Sequence, residues 1–330
     1  MKQLKPIFLT KILHEKLLKN LPGSEYNLKI NHISELCSNV SISRPTGKYV
    51  SKIFLLLVNS IFHKMNWIVA GHNAAPGFRF LKLDSQLGMD QFINWPLGCK
   101  LMAFNILGEE RVKESVQVKA EPLMILELRK EWLSFSDYLN SMSTKYRTQA
   151  KRVLKASYDV ELIECSSMSS SEWIPWASVL LSKTLKKKTV SLPLDLEKLL
   201  AAYSKSLGNS FKIFGYKKNN SWIGFITFIV DEESVFAVHL GLEAKVSHET
   251  KLYQRCMLDL VKYSISANKR QLNLGRTATE IKSSIGALPV SNSYVFFSHS
   301  FFINIIFRFY AKYFHKLPSY KIRSPFKEKV

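Results

Sequence analysis

Residues 272–287 read L-N-L-G-R-T-A-T-E-I-K-S-S-I-G-A, and this stretch decides how the second half of the chain is interpreted. Gln271–Leu274 is predicted to form a short strand that ends at Gly275. Thr277–Ile285 is predicted to form a short helix, which the glycine at position 286 stops. The segment therefore places polar side chains directly after a strand, at one edge of a predicted sheet.

Three apolar runs upstream predict an antiparallel meander. They are Phe211–Tyr216, Trp222–Val230 and Val235–Leu242, and two short polar turns separate them. A helix over about His248–Ala267 follows, so Val235–Leu242 and the strand before Gly275 can lie parallel to each other. We expect both strands in one twisted mixed sheet.

Earlier elements are predicted from apolar runs, helix periodicity and capping residues. Residues 122–128 are expected to form a strand, and Ser134 or Ser136 then caps a long helix. Two further helices follow: Glu172–Lys187 and Asp195–Ser206. From residue 121 the predicted order is strand, helices, three-strand meander, helix, strand, helix, strand.

This order resembles the GNAT acyltransferase fold. Residues 272–287 are similar to the strand and G-R-x-x-x-x-x-K-x-x-x-G segment of GNAT proteins related to FemAB and to the cellulose-biosynthesis acetyltransferase-like family. Residues 128–132, 136–139 and 145–147 resemble the beginning of the transferase domain in FemAB-like proteins. Over about residues 120–300, the resemblance implies an α/β fold with a mixed sheet and the transfer of an acyl group to an amine.

The resemblance also implies a division of the chain. FemAB-like proteins pair two GNAT-like units, so residues 1–120 are expected to form a small α/β domain that is a reduced, GNAT-like partner. Residues 121–300 are the expected acyltransferase domain. Residues 301–330 are expected to form a basic C-terminal helix and tail.

Charge and cysteine content limit the partners and the compartment. The chain has 330 residues and a formal net charge of +21, which attracts phosphate-bearing ligands, RNA and acidic membrane at low salt. Its four cysteines are far apart in the sequence, so we expect small buried residues in a reducing compartment. A cytoplasmic protein is predicted, with the inner face of the membrane as an open alternative.

Two dense apolar runs, Ile53–Phe62 and Val295–Phe307, are too short for a transmembrane helix, which needs about 20 residues. We expect both runs to be core segments, and we predict no transmembrane segment. The second run leads into Arg308 and Lys312, which leaves a peripheral contact with acidic membrane open.

Acyl transfer to an amine requires a base for the amine proton, donors for the tetrahedral oxyanion and a proton for the leaving group. The resemblance implies that the strand Val235–Leu242 and the helix after it supply most of the site. His239 and Glu243 stand at the end of this strand and are the candidate bases, acting directly or through water. Their even spacing places both on one face of a strand. Tyr253 is the candidate acid for a leaving thiolate.

The phosphate-binding loop departs from the pattern that the resemblance implies. GNAT enzymes carry R/Q-x-x-G-x-G/A there, whereas residues 243–251 contain no glycine. A helix N-terminus can still bind phosphate through its free N–H groups, and Lys245, His248 and Lys251 add charge. Further candidates for binding substrate or cofactor follow the next strand: Arg276, Glu280 and Lys282.

The missing glycines raise aminoacyl-tRNA as an alternative to acyl-CoA as the co-substrate, and no metal is expected. One basic row on the long helix after Ser134 is the candidate polyanion surface, because its members are four residues apart. The row consists of Arg147, Lys151 and Lys155.

Three functions are consistent with these observations. The leading one is an N-acyltransferase that moves an acyl group from an acyl-CoA-type thioester to an amine of a sugar, peptide or cell-envelope precursor. The alternative enzyme is a FemAB-like aminoacyl-tRNA-dependent peptidyltransferase. The alternative of another class is a non-catalytic GNAT-like basic module that binds RNA or membrane. Phosphate-loop, dinucleotide, zinc-protease and nucleophile-elbow motifs do not occur in the sequence.

Overall fold

The structure of the protein, a computed structural model, describes residues 67–70, 100–107, 116–185, 195–298, 300–313 and 319–327. Its strands are β1 (Trp67–Ala70), β2 (Lys100–Leu107), β3 (Val116–Glu127), β4 (Glu161–Glu164), β5 (Phe211–Lys218), β6 (Ser221–Val230), β7 (Ser234–Leu242), β8 (Gln271–Asn273) and β9 (Leu288–Ser298). They form one mixed sheet in the spatial order β1-β2-β9-β3-β8-β7-β6-β5-β4. The pairs β1–β2 and β7–β8 are parallel, and the other neighbours are antiparallel.

The α-helices of the described residues are α1 (Phe135–Ser141), α2 (Thr144–Ala156), α3 (Ser170–Leu185), α4 (Leu196–Leu207), α5 (Ala244–Glu249), α6 (Leu252–Ser266), α7 (Thr279–Ser284) and α8 (Phe301–Tyr313). Buried residues of α1, α2 and α6 share one hydrophobic core with the sheet, and those of α3 and α4 share another. On β6, Ile226 and Phe228 belong to the first core, and Phe225 and Ile229 to the second. The central strands are therefore apolar on both faces because helices cover both.

The predicted mixed α/β fold is confirmed, and so is the order of elements from residue 121. The strand before Gly275 lies beside β7 and runs parallel to it, as expected. One strand was not predicted. β4 has the sequence E-L-I-E and lies at the sheet edge, where three of its four residues are exposed, so no apolar alternation marks it.

The long helix predicted after Ser134 is divided into α1 and α2. Ser134 and Asp137 form a reciprocal capping box at the start of α1, and α1 ends at Met142, whose ψ is 150°. The backbone N–H of Ser143 donates to the carbonyl of Pro325 at 2.8 Å. The helix stops here because this N–H, which in a continuous helix would donate to a carbonyl of the preceding turn, instead donates to the C-terminal segment.

Val295–Phe307 does not form one buried core segment, contrary to the prediction. β9 ends at Ser298 and α8 begins at Phe301, so the run is divided between a strand and a helix. One side of α8 packs against β3 and β9. Phe301 and Phe302 are 68% and 77% exposed, because a single helix face is enough to contact the sheet. The other apolar run, Ile53–Phe62, lies outside the described residues.

The predicted domain boundary between residues 120 and 121 lies inside β3, which pairs with β8 on one side and β9 on the other. β1 and β2 extend the same sheet. The division into domains stays a prediction. Cys165 and Cys256 are buried free thiols, as expected, and the other two cysteines lie outside the described residues. In the part of the chain that the structure describes, no helix is long and apolar enough to cross a membrane.

Candidate active site

β7 carries a bulge in its middle. One residue of β6, Thr227, faces two residues of β7, Val238 and His239. The backbone N–H of His239 donates to Oγ1 of Thr227 at 3.0 Å. This bond replaces the strand hydrogen bond that the bulge interrupts. Beyond the bulge, His239 and Gly241 point towards α3 and α4.

Gly241 allows α3 to approach β7 closely. A Cβ atom at this position would lie 2.7 Å from the backbone nitrogen of Leu181 and 2.8 Å from the carbonyl carbon of Leu180. A side chain therefore does not fit without displacing helix backbone. The same approach lets Oγ1 of Thr184 accept the backbone N–H of Leu242 at 3.0 Å, which fixes the end of α3 over the end of β7.

β7 and β8 pair over a short parallel contact only. Their pairing extends only as far as Phe236 and Asn273, where β8 ends, whereas β7 continues to Leu242. Among the described residues, no strand pairs with this last part of β7 on its β8 side. We call the space beside the last part of β7, beyond the end of β8, the wedge. It lies at the carboxyl ends of two parallel strands, where ligands of α/β sheets bind.

Glu243 lies directly beyond β7 and is the N-cap residue of α5. Its backbone N–H donates to the carbonyl of Ile223 at 2.8 Å. Its Oε2 lies 2.5 Å from Nζ of Lys183 on α3. The side chains are 36% and 52% exposed, so the ion pair reaches solvent at the open end of β7. Lys183 was not among the sequence candidates, because its partner is 60 residues away and no local pattern marks it.

His239 lies in a buried polar cluster on the α3 and α4 side of the sheet. Its Nδ1 lies 3.2 Å from Oγ1 of Thr227, and its ring is edge-on to Tyr203 of α4 with centroids 4.9 Å apart. His239 is 6% exposed. Burial raises the pKa of the Tyr203 phenol well above its ordinary value. Glu243 contacts Lys183 of α3 on the same side of the sheet, as the even spacing of His239 and Glu243 predicted.

Tyr253 lies on the opposite side, near the start of α6. Its ring packs against the core that α1, α2 and α6 share, and burial raises the pKa of its phenol. The sheet therefore separates this candidate acid from His239. The wedge between β7 and β8 is the opening that lies between the two sides.

The residues after Glu243 form a helix with a break, where one continuous helix over His248–Ala267 was predicted. Lys245 and His248 are exposed on α5, and Lys251 is exposed at the N-cap of α6. Lys251 has a φ of 52°, the left-handed region that helices do not contain. The three candidate phosphate ligands thus precede the N-terminus of α6 within one short stretch.

The turn after β8 adopts a strained backbone. Gly275, Thr277 and Ala278 have φ values of 71°, 65° and 48°. Glycine tolerates this region, whereas threonine and alanine adopt it at a cost of about 1–2 kcal/mol each. The Asn273 Oδ1 accepts the backbone N–H of Gly275 at 2.9 Å and helps to hold the turn.

Lys282 and Glu280 form hydrogen bonds beside this turn. Lys282 is 3% exposed, and its Nζ donates to the carbonyl of Arg276 at 2.5 Å. Glu280 accepts the backbone N–H of Lys321 at 3.2 Å and Nη2 of Arg323 at 3.0 Å. These bonds, led by that of Lys321, lower the pKa of Glu280. Glu280 also lines a cavity of about 300 Å³ at the start of α7.

α2 is a basic helix. Its sequence, T-K-Y-R-T-Q-A-K-R-V-L-K-A, contains five Lys or Arg residues and no Asp or Glu. Lys151 and Lys155 are exposed, and Arg147 is half-buried. Nη1 of Arg255 on α6 donates to the carbonyl of Ser157 at 3.2 Å, so the end of α2 adjoins the beginning of α6.

The structure gathers the candidates into two groups at the carboxyl ends of parallel neighbours. Glu243 stands at the end of β7, followed by Lys245, His248 and Lys251. The group at the end of β8 consists of Arg276, Glu280 and Lys282. His239 and Tyr253 lie in the cores on either side of the sheet. The role of each residue stays a prediction. Within the described residues, no group of three or more His, Cys, Asp or Glu side chains is arranged to hold a metal ion.

Comparison with known proteins gives structural similarity only. No family model matches the chain, and no curated protein sequence matches it. FemX is similar over 69% of this chain and 80% of its own, with 10% identity and a TM-score of 0.45. L-PGS from Bacillus licheniformis is similar over 63% and 71%, with 10% identity and a TM-score of 0.43. A tandem GNAT protein from the clavulanic acid biosynthesis pathway is similar over 60% and 63%, with 8% identity and a TM-score of 0.38.

The described part of the chain has a GNAT-like mixed α/β fold. This assignment follows from the strand order and from the parallel pair β7–β8. Structural similarity at 8–10% sequence identity carries no information on the substrate.

Proposed function

We propose that this chain is an N-acyltransferase that moves an acyl group from an acyl-CoA-type thioester to an amine of a sugar, peptide or cell-envelope precursor. The observation that carries the proposal is the wedge beyond Phe236. Within the described residues, the β7 edge of the wedge has backbone groups without a strand partner. A narrow chain that contains amides, such as the pantetheine arm of coenzyme A, would bind there as an added strand.

In the proposed reaction, the amine nitrogen attacks the thioester carbonyl carbon. The C–N bond forms, the C–S bond breaks, the amine gives up a proton and the leaving thiolate takes one. Glu243 is proposed as the base, directly or through water, because it is a partly exposed carboxylate at the open end of β7. Lys183 is proposed as a positioning residue, since its ammonium holds Glu243. His239 and Tyr253 are the alternative base and the proposed acid.

Phosphate groups of the donor are proposed to bind beside the start of α6, where Lys245, His248 and Lys251 are exposed. Arg276 is proposed as a further ligand from the β8 side of the wedge. Lys282 is proposed to act through the turn that carries Arg276, because its ammonium bonds the backbone of that residue.

Thiol release from a panel of acyl-CoA thioesters, measured with amine acceptors, tests this function. We expect turnover by the wild type and a loss of about 10²–10⁴ in rate for Glu243→Gln, which keeps the size and removes the basicity. The matched control is Glu249→Gln, an exposed carboxylate at the other end of α5, and it should retain full activity. Absence of both donor binding and turnover in the wild type would refute the proposal. Full activity of Glu243→Gln would refute the role of Glu243 as base and leave the proposed function standing.

A second candidate function is supported by α2. Aminoacyl-tRNA offers a backbone of phosphates, and α2 presents five cations and no acidic side chain next to the beginning of α6. In this alternative, the donor is an aminoacyl-tRNA ester, and the reaction is a peptidyltransferase of the FemAB-like kind. The acceptor amine and the proton transfers are the same, whereas the leaving group is a ribose hydroxyl.

Filter binding of aminoacyl-tRNA at several salt concentrations distinguishes this candidate. The double variant Lys151→Gln/Lys155→Gln should weaken binding and reduce the salt slope by about two units. The double variant Lys198→Gln/Lys205→Gln on α4 makes the same change in charge on the opposite side of the sheet and should bind like the wild type. Equal behaviour of the two double variants would contradict a specific role for α2.

The non-catalytic alternative has a separate signature. A basic module would bind tRNA or acidic vesicles and transfer no acyl group from either kind of donor. Under that outcome, Glu243→Gln would not weaken the binding of tRNA or of vesicles.

A further inference from the structure

α8 presents large apolar side chains to solvent instead of to the sheet. Phe301 and Phe302 are 68% and 77% exposed, and Ile305 is 42% exposed. The opposite side of the helix contacts β3 and β9. Burying three such side chains is strongly favourable, so an exposed face of this composition marks an interaction surface.

Cations lie on the same face of the helix. Because 3.6 residues make one turn, positions 301, 302, 305, 308, 309 and 312 fall within about a third of the helix circumference. Arg308 is exposed there, beside the apolar side chains. Phe309 and Lys312 are exposed on this face too, and each also contacts another residue of the chain. Arg308 and Lys312 thus lie towards one edge of the face, and Phe302 and Phe309 lie towards the other.

We propose that α8 docks on the surface of an anionic phospholipid bilayer. Phe301, Phe302 and Ile305 would insert between the headgroups, and Arg308 would bind lipid phosphates. The arrangement matches the two requirements of an interfacial helix, an apolar face and flanking cations. α8 has 13 residues, which is short of the about 20 that a spanning helix needs, so it would lie in the plane of the interface.

The charge of the surface favours a bilayer over another protein surface as the occupant. α8 contains no Asp or Glu, and the whole chain carries a formal net charge of +21. A second copy seated face to face would bring the Arg308 and Lys312 side chains of both copies together without acidic partners on α8. An anionic lipid surface neutralises the same charges.

The sheet places the start of α8 at the same edge as the wedge. β3 runs antiparallel to both β8 and β9, and β7 runs parallel to β8, so the carboxyl ends of β7 and β9 lie at one edge. α8 begins three residues after β9 ends. The beginning of α8, with Phe301 and Phe302, and the wedge therefore lie at one edge of the sheet. Vesicle binding requires no acyl donor, so its outcome is independent of the proposed activity.

Sedimentation of the full chain with phospholipid vesicles tests this proposal. We expect binding to vesicles of phosphatidylglycerol and phosphatidylcholine, weaker binding to phosphatidylcholine alone, and release by high salt. Phe301→Ser/Phe302→Ser should lower the partition coefficient by at least about 30-fold, since two aromatic side chains lose their apolar contact. Arg308→Gln should lower it by about fivefold on the anionic vesicles.

The matched control is Leu133→Ser/Tyr158→Ser. These side chains are 86% and 84% exposed outside α8, so the control removes two large side chains that are more exposed than Phe301 and Phe302 from another surface. It should bind anionic vesicles like the wild type, and circular dichroism should show that both double variants are folded.

Two results would overturn the proposal. One is a failure of the expected vesicle binding: the wild-type protein stays in the supernatant with anionic vesicles, or the Phe301→Ser/Phe302→Ser variant binds them as strongly as the wild type. The other is a dimer in solution that this double variant dissociates while no vesicle binding is seen, which would assign the face to a second copy of the chain.

Discussion

The buried ammonium of Lys282 donates a hydrogen bond to the backbone carbonyl of Arg276 at 2.5 Å. This bond joins the first and last charged residues of the G-R-x-x-x-x-x-K segment across a turn in which Thr277 and Ala278 both have positive φ. A strained turn persists only where its surroundings hold it. Lys282 is therefore part of the support for the turn, whether or not Arg276 contacts a ligand.

Replacing Lys282 by methionine should destabilise the protein. The stem of the side chain stays, but the carbonyl of Arg276 loses a charged donor inside the structure. We expect the free energy of unfolding, measured in urea, to fall by about 1–3 kcal/mol. Lys262→Met, at an exposed position of α6, is the control and should change it by less than about 0.5 kcal/mol. Unchanged stability would contradict a role of this bond in holding the turn.

A methyl group at Gly241 should disturb both the fold and the site. The added Cβ would lie 2.7 Å from the backbone nitrogen of Leu181, so α3 has to move away from β7. We expect Gly241→Ala to cost about 1–3 kcal/mol of unfolding free energy. It should also lower acyl transfer, because Lys183 and Glu243 are held by this approach of α3 to β7.

The control for this change is Ser221→Ala. Ser221 is exposed at the first position of β6, so this substitution changes no buried contact. Its thermal unfolding should resemble that of the wild type. A Gly241→Ala protein as stable and active as the wild type would contradict the close approach of α3.

Acid should release the C-terminal segment from α7. Glu280 has a lowered pKa in the folded state, so its ionised form is the one that the fold stabilises. Its contribution is present above the ordinary pKa of a glutamate and is lost as the pH falls through the lowered value. Glu280→Gln should therefore speed hydrogen exchange of the Lys321 and Arg323 amides at pH 7.

The difference between Glu280→Gln and the wild type should shrink as the pH falls below the ordinary glutamate pKa, about 4.3. Mass spectrometry of peptides that contain residues 319–327 provides the measurement. Equal exchange at pH 7 would show that Glu280 does not hold the segment.

Local patterns were sufficient for much of the fold. The meander β5–β6–β7 follows from three apolar runs and two polar turns, because turn residues and strand residues act over a few positions. The helix before β8 allowed the parallel pairing of β7 and β8 to be predicted. The positions of Glu243 and Arg276 at the ends of two neighbouring strands follow from the same reasoning.

Other features depend on contacts between distant parts of the chain. The break between α1 and α2 requires the carbonyl of Pro325 at the amide of Ser143. The bulge at His239 requires Thr227 on the neighbouring strand. Lys183 became a candidate only because α3 places it against Glu243.

The sequence by itself determined the types of the elements, most of their order and the apolar nature of the central strands, because periodicity and turn chemistry are local properties. Only the tertiary structure decided which side chains meet and which apolar faces remain outside. The run Val295–Phe307 shows the physical reason. Its apolar composition predicted burial, but a helix buries only the face for which the rest of the protein offers a surface, and α8 keeps Phe301 and Phe302 exposed.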